Sequence, residues 1–376
     1  MLPRVKISAL QAYLLIVGSA AVADHVIGIP ALIRSAGRDS WISVLLGGAM
    51  ASLPVLALAS LGRRFPGKTL VQFMPDILGR YIGIPLAFLY LGYFFLVLVI
   101  TLRTFIEFIA TAFMLDTPPI IFGLAITLVA VYAARSGLEV FSRVIQILVP
   151  LIFLIGFAIA FILYPLKDYR QLLPVLAHGF RPVWDGVIPV LGFLGEMVVF
   201  AMVQPHFQDQ SRLRLVDLLA LGSLIILMIG SATGSLAIFG VAEASRLGFP
   251  AFHVVRSVAI YDFLERIDFA AIFFWMTGVY ARISLYYYVT ALGAAQLFRL
   301  KEYTPLVLPL GVTVLALSML TFDNVVQVFK FVEMPYAVIN IIMGMILPLF
   351  LLAVAAIRRG SDQSGTGSKG SGQTGE

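Results

Sequence analysis

Residues 7–33 read ISALQAYLLIVGSAAVADHVIGIPALI, and residues 187–205 read VIPVLGFLGEMVVFAMVQP. Each run is near the length of about 20 mainly apolar residues that a bilayer-crossing helix needs. Each is also interrupted. Gly18, Ser19, Asp24, His25, Gly28 and Pro30 break the first run. Gly186 just before the second run, then Pro189, Gly192, Gly195 and Glu196 within it, break the second. Glycine and proline weaken a helix, and neighbouring helices re-satisfy the backbone groups so freed. Paired interruptions at matching places in two halves of a chain point to a transporter-type site at the bilayer midplane. The candidate ligand-binding residues are therefore Gly18, Ser19, Asp24, His25, Gly28, Gly192, Gly195 and Glu196.

Apolar runs continue outward from these two, at 41–61, 84–113, 119–134, 141–164, 214–240, 267–298, 304–320 and 331–357. The runs at 119–134 and 304–320 are short. Of the 376 residues 60% are hydrophobic and 12% charged, and the mean hydropathy is +0.99. An ordinary soluble domain is about 45–50% apolar and about 25% charged. The expected fold is an all-α polytopic membrane protein of about ten transmembrane helices, with a broken first and sixth helix. The alternating pattern of a membrane β-barrel is absent from the sequence. The chain has no cysteine and four scattered histidines, at 25, 178, 206 and 253, so the sequence offers no metal cluster or thiol chemistry. It also lacks a nucleotide-binding loop and a soluble catalytic stretch, so neither a cofactor nor an enzyme activity is expected.

Lys and Arg set membrane orientation. With ten spans both termini share one side, and that side carries 15 Lys and Arg against 9 on the other. Both termini are expected in the cytoplasm. Ala21-Val22-Ala23 resembles a signal-peptide cleavage site, but apolar character resumes at Val26, which fits one retained, broken span. Residues 62–83 mix apolar and basic side chains and suit an amphipathic helix along the surface. The connections 164–186 and 241–266 are the longest on the outer side and have room for short helices. Residues 1–359 read as one transmembrane domain with repeats near 7–164 and 187–357, and 360–376 as a disordered Gly/Ser-rich cytoplasmic tail.

Ionisable groups inside spans are expensive in lipid, so each is a functional candidate. Arg103 and Glu107 lie four apart and can pair on one helix face. Arg282 lies in the eighth run and has three carboxylates to choose from: Asp24, Glu107 and Glu196. Arg103, Glu107 and Arg282 form the expected intramembrane charge network. A purely structural pairing is the plainer reading of each.

Several short pieces, in this order, carry a family resemblance. They are Ile7-Ser8-Ala9-Leu10-Gln11, Gly37-Arg38-Asp39-Ser40-Trp41, Arg64-Phe65-Pro66-Gly67-Lys68-Thr69, Leu102-Arg103 with Glu107, and Asp116-Thr117-Pro118. Gly137-Leu138-Glu139-Val140 with Arg143, Leu173-Pro174-Val175-Leu176, Phe263-Leu264-Glu265-Arg266, and Trp275 with Arg282-Ile283-Ser284 follow. Together they resemble the membrane B subunit of GerA-type spore germinant receptors, the spore germination permease family of the amino acid–polyamine–organocation transporter superfamily. The resemblance runs from Ile7 to about Leu352. It implies a five-plus-five inverted repeat and a nutrient site between the first, third, sixth and eighth helices, commonly for an amino acid. It further implies the spore inner membrane, an A subunit and a lipoprotein C subunit. One departure stands out: Ala23-Asp24-His25 replaces the family's Gly-x-Gly before Pro30.

The resemblance favours a nutrient-sensing receptor subunit. The alternative is a proton- or sodium-coupled amino acid permease, since both need a bistable fold around a midplane site.

Overall fold

The computed structural model describes residues 6–23, 28–256 and 267–366. These are helical almost throughout, and among the described residues the one extended pairing is an isolated bridge. The first expected span is a pair of helices, α1 (Ala9–Ala23) and α2 (Ile29–Ala36). Next come α3 (Ser40–Arg64), α4 (Leu70–Leu78), α5 (Arg80–Ala112), α6 (Pro119–Ser136) and α7 (Leu138–Ile162). Helix α8 (Arg181–Gly195) passes directly into a 3-10 helix over Glu196–Met202. Then follow α9 (Leu213–Ala244), the short α10 (Pro250–Arg256), α11 (Ile267–Leu297) and α12 (Thr304–Leu320). The last expected span is α13 (Val325–Phe331), α14 (Ala337–Ile341) and α15 (Leu347–Thr366). Two π-helical turns, Val332–Tyr336 and Ile342–Ile346, join these three.

Seven of the described helical stretches are long and apolar enough to cross a bilayer, and Ala9–Ala21 and Thr304–Leu320 are shorter apolar helices. Large apolar side chains stand exposed on the outer helices, such as Leu128 on α6, Ile147 and Phe157 on α7, and Leu320 on α12. Such a surface is lipid-facing rather than wet. The chain is a multi-pass membrane protein.

The centre is made by α1, the 3-10 stretch after α8, α5 and α11. Leu15, Ile16 and Val17 of α1 are fully buried, as are Tyr287 and Tyr288 of α11, and all seven residues of Glu196–Met202 are buried. Helix α2 begins just after Gly28 and carries Pro30 in its first turn. Proline fits the first turn of a helix, where its missing N–H is not needed, so it starts α2. In the sixth run the break differs from expectation. The helix does not open at Gly192 and Gly195. It stays helical through Gly195 and then tightens into the 3-10 winding. A tightened stretch is poorly matched to α-helical hydrogen bonding and often marks a hinge.

Three smaller expectations can be placed. The surface stretch 62–83 holds α4, whose Leu70, Val71, Phe73, Met74 and Ile77 are buried on one side. Thr69 and Gln72 form a capping box at its start, worth about 1 kcal/mol. The outer connections carry short helices, at Tyr164–Leu166, Tyr169–Leu172 and α10. Helix α15 runs past Gly360 to Thr366, so the first residues of the expected tail are helical, and 367–376 lie outside the described residues. At the other end, Ile7 N–H donates to the His206 carbonyl at 2.8 Å and Gln208 N–H to the Ile7 carbonyl at 3.0 Å. The start of the chain is thereby pinned to the end of the sixth span.

Candidate functional site

The tightened stretch begins at Glu196, and that side chain is 3% exposed. A buried carboxylate must be paired or it neutralises. Its partner is Arg282 of α11, 4% exposed, which forms an ion pair with Glu196 Oε2. The other carboxylate oxygen accepts from Tyr336 Oη at 2.5 Å and from Asn340 Nδ2 at 3.3 Å. Arg282 Nε donates to Thr101 Oγ1 of α5 at 2.8 Å, and a terminal nitrogen donates to Tyr336 Oη at 3.3 Å. The guanidinium also lies 5.4 Å from the Tyr286 ring centroid, within cation–π reach. One ion pair thus ties together the third, sixth, eighth and tenth spans.

Tyr336 ends one π-turn, and Asn340 lies on the short α14 before the next. A π-turn shifts the helix face by inserting an extra residue, and such turns gather at functional sites. Tyr90 of α5 donates to the Met343 carbonyl within the second turn at 2.7 Å. Around the pair some hydrogen-bonding capacity is unused. Tyr93 Oη and Asn340 Oδ1 are buried and have no partner among the described residues. Tyr93 lies within electrostatic reach of both Glu196 and Arg282.

The glycines are explained by packing. A Cβ on Gly192 would lie 2.8 Å from the Ala337 Cβ, and one on Gly195 would lie 2.5 Å from the Asn340 carbonyl oxygen. On Gly344, within the second π-turn, it would lie 1.9 Å from the Gly195 oxygen. The sixth and tenth spans therefore meet backbone to backbone, and this approach brings Tyr336 and Asn340 to Glu196. Gly18 faces Val149 of α7, and Gly28 faces the Phe193 ring of α8, where a Cβ would come within 2.3 Å. The Ser19 hydroxyl is buried and donates to the Ile16 carbonyl at 3.1 Å. Asp24 and His25, with the break itself, lie outside the described residues.

The fold is that of MhsT in complex with L-phenylalanine, which superposes with a TM-score of 0.65, covering 92% of this chain and 88% of that one at 15% identity. The family model described as "Spore germination protein" matches residues 6–326. The chain belongs to the spore germination protein family. Spore germination protein KB of Bacillus subtilis (strain 168) is 28% identical over 337 residues, 86% of this chain and 88% of its own length. Spore germination protein XB of Bacillus anthracis is 29% identical over 277 residues, 73% of this chain and 77% of its own.

In this member of the family the expected charge network divides in two. Arg103 and Glu107 pair at 2.5 Å within α5, and Arg103 also donates to the Ser318 and Met319 carbonyls at the end of α12, at 3.2 and 3.3 Å. Arg282 pairs with Glu196 instead. Tyr336, Asn340 and Thr101 are absent from the sequence-derived candidates. Asn340 alone had a signal, as a lone amide within the apolar run 331–357.

Proposed function

We propose that the protein is the nutrient-sensing B-type subunit of a spore germinant receptor, with an amino acid as ligand and with the buried Glu196–Arg282 pair as the element the ligand acts on. The supporting observation is that one ion pair joins four spans at the first turn of the tightened sixth helix. A pair so placed is bistable. Kept together it holds the spans in one arrangement, and a zwitterion that supplies its own ammonium and carboxylate can substitute for either partner. The unpartnered Tyr93 hydroxyl and Asn340 carbonyl oxygen offer hydrogen bonds to such a ligand. In this reading the ligand-binding candidates are Ser19, Asp24, His25 and Gly28 of the first span, together with Glu196 of the sixth. Gly18, Gly192 and Gly195 set the helix spacing that shapes the site. Repeats near 7–164 and 187–357 then enclose the site.

The proposed setting is the spore inner membrane, with both termini in the cytoplasm and an A subunit and a lipoprotein C subunit as partners. The role is binding and signalling, without catalysis. Family membership and the relatives named for spore germination favour this over uptake. The test uses spores carrying this chain as the B subunit of their sole receptor, scored for germination against single amino acids. A saturable response to one or a few of them is expected. Coupled uptake of labelled amino acid by the chain alone in proteoliposomes, with no germination phenotype, would make it a permease.

A further inference from the structure

A second recess lies away from the ion pair, between α7, α9, α10 and α11. It is a cavity of about 350 Å³, lined by apolar side chains and a row of small residues on α9. That size falls within the range of small-molecule sites, about 300–1,000 Å³. Its origin is in the sequence. Gly230-Ser231-Ala232-Thr233-Gly234-Ser235 has the small-xxx-small spacing that normally lets a second helix approach. Among the described residues no helix fills the face. A Cβ on Gly230 would meet nothing within 4 Å, and one on Gly234 would meet only the end of Lys167, at 3.9 Å. On α7, Gly156 has only the Phe274 ring edge near it, at 3.7 Å. The missing side chains leave the space.

The polar groups of this recess are few. The Ser231 and Ser235 hydroxyls are buried without a hydrogen-bond partner among the described residues. Lys167, in the connection after α7, brings its ammonium to the Gly234 face, and no carboxylate among the described residues pairs with it. Burial pushes its amine below the usual lysine value. Two of the lining residues, Phe157 and Ile226, are largely exposed on the lipid-facing surface. The recess therefore opens sideways into the bilayer.

The geometry points to an anionic phospholipid of the surrounding membrane as the occupant: an acyl chain along the Gly230–Gly234 face, and the phosphate on Lys167. The apolar lining matches the chain, the lone ammonium matches the head, and the lateral opening sets the bilayer, not the water, as the source. A free fatty acid has the same chemistry and is separated by experiment. The full-length chain, purified in mild detergent, is titrated with phosphatidylglycerol or phosphatidylcholine, and bound lipid is counted by native mass spectrometry. One phosphatidylglycerol should bind in preference to phosphatidylcholine. Lys167→Gln should weaken phosphatidylglycerol by about five-fold, the factor one lysine contributes near an anionic lipid, and leave phosphatidylcholine unchanged. Gly230→Leu, which adds a side chain to open space, should remove the bound lipid while the protein stays monodisperse. Unaltered phosphatidylglycerol binding in both variants would overturn the assignment. So would oleate binding in the wild type that phosphatidylglycerol fails to displace, which would make a free fatty acid the occupant.

Discussion

Arg103 and Arg282 are both arginines buried in long helices, 6% and 4% exposed, and they are paired in opposite ways. Arg103 finds its carboxylate one turn along its own helix, at Glu107, and donates from Nη1 to two carbonyls at the end of α12. Arg282 finds its carboxylate on a different span, and Thr101 and Tyr336 on two more. The first pair survives any rigid movement of α5. The second is broken by a relative movement of α8 and α11. A charge pair within one helix makes a membrane helix tolerable, whereas a pair between helices makes the arrangement of helices a variable. On that difference we propose Glu196–Arg282, not Arg103–Glu107, as the switch.

The largest effect should follow from breaking the interhelical pair. Removing one partner of a buried pair costs about 3–5 kcal/mol, because the other charge is left behind. Arg282→Gln leaves the Glu196 carboxylate with the neutral donors Tyr336 and Asn340 and no counter-charge, and Glu196→Gln leaves the guanidinium with Thr101, Tyr336 and the Tyr286 ring. Either change should abolish the germination response. The double change, Glu196→Gln with Arg282→Gln, should recover subunit level on immunoblot and still not respond. Recovery of the response as well would show that the pair only holds the fold. Additive losses in level would show that the two charges are not coupled.

The local pair should behave differently, and its loss should be milder. Glu107 is partly exposed, with its side chain at 16%, so Glu107→Gln should cost less than the interhelical change, about 1–3 kcal/mol. Arg103→Gln also removes the donors to the Ser318 and Met319 carbonyls, so it should exceed Glu107→Gln. The two together should partly rescue the level lost with either one. The concentration of nutrient that gives half-maximal germination should stay as in the unaltered spore. A shift in that concentration would sink the distinction between a holding pair and a switching pair.

These two pairs also show what a sequence discloses. Arg103 and Glu107 stand four apart in one apolar run, and helix geometry alone brings them together. The spans are equally plain, since lipid demands long apolar runs. The Glu196–Arg282 partnership joins residues 86 positions apart, and Arg282 had three intramembrane carboxylates to choose from. Only packing decides among them. Tyr336 and Asn340 were harder still, because their direction depends on two π-turns that no periodicity announces. The glycines of the sixth span were conspicuous in the sequence, but what they pack against was not. Their bare Cα faces are occupied by α14 and the second π-turn, and the approach they allow positions the tyrosine and the asparagine.

Tyr336 gives the finest test, because it touches both members of the interhelical pair without carrying charge. Its hydroxyl donates to Glu196 Oε1 at 2.5 Å and receives a bond from Arg282 at 3.3 Å. Tyr336→Phe keeps the ring, which is 2% exposed and packs 6.5 Å from Phe331. What is lost is the bond to Glu196 together with the longer one from Arg282, and the first alone is about 1.5 kcal/mol at the low end of its class. Subunit level should therefore hold. If the pair is the switch, the arrangement in which Tyr336 bridges it loses that much relative to any arrangement in which the bridge is already open. The ligand then has less to overcome, and half-maximal germination should move to about ten-fold lower nutrient, with the same maximum. An equal loss in both arrangements would leave the concentration where it was and would show that the tyrosine stays on Glu196 throughout. A move to higher concentration would mean that the hydroxyl bonds the ligand or the activated pair, and the resting bridge would then not be the restraint.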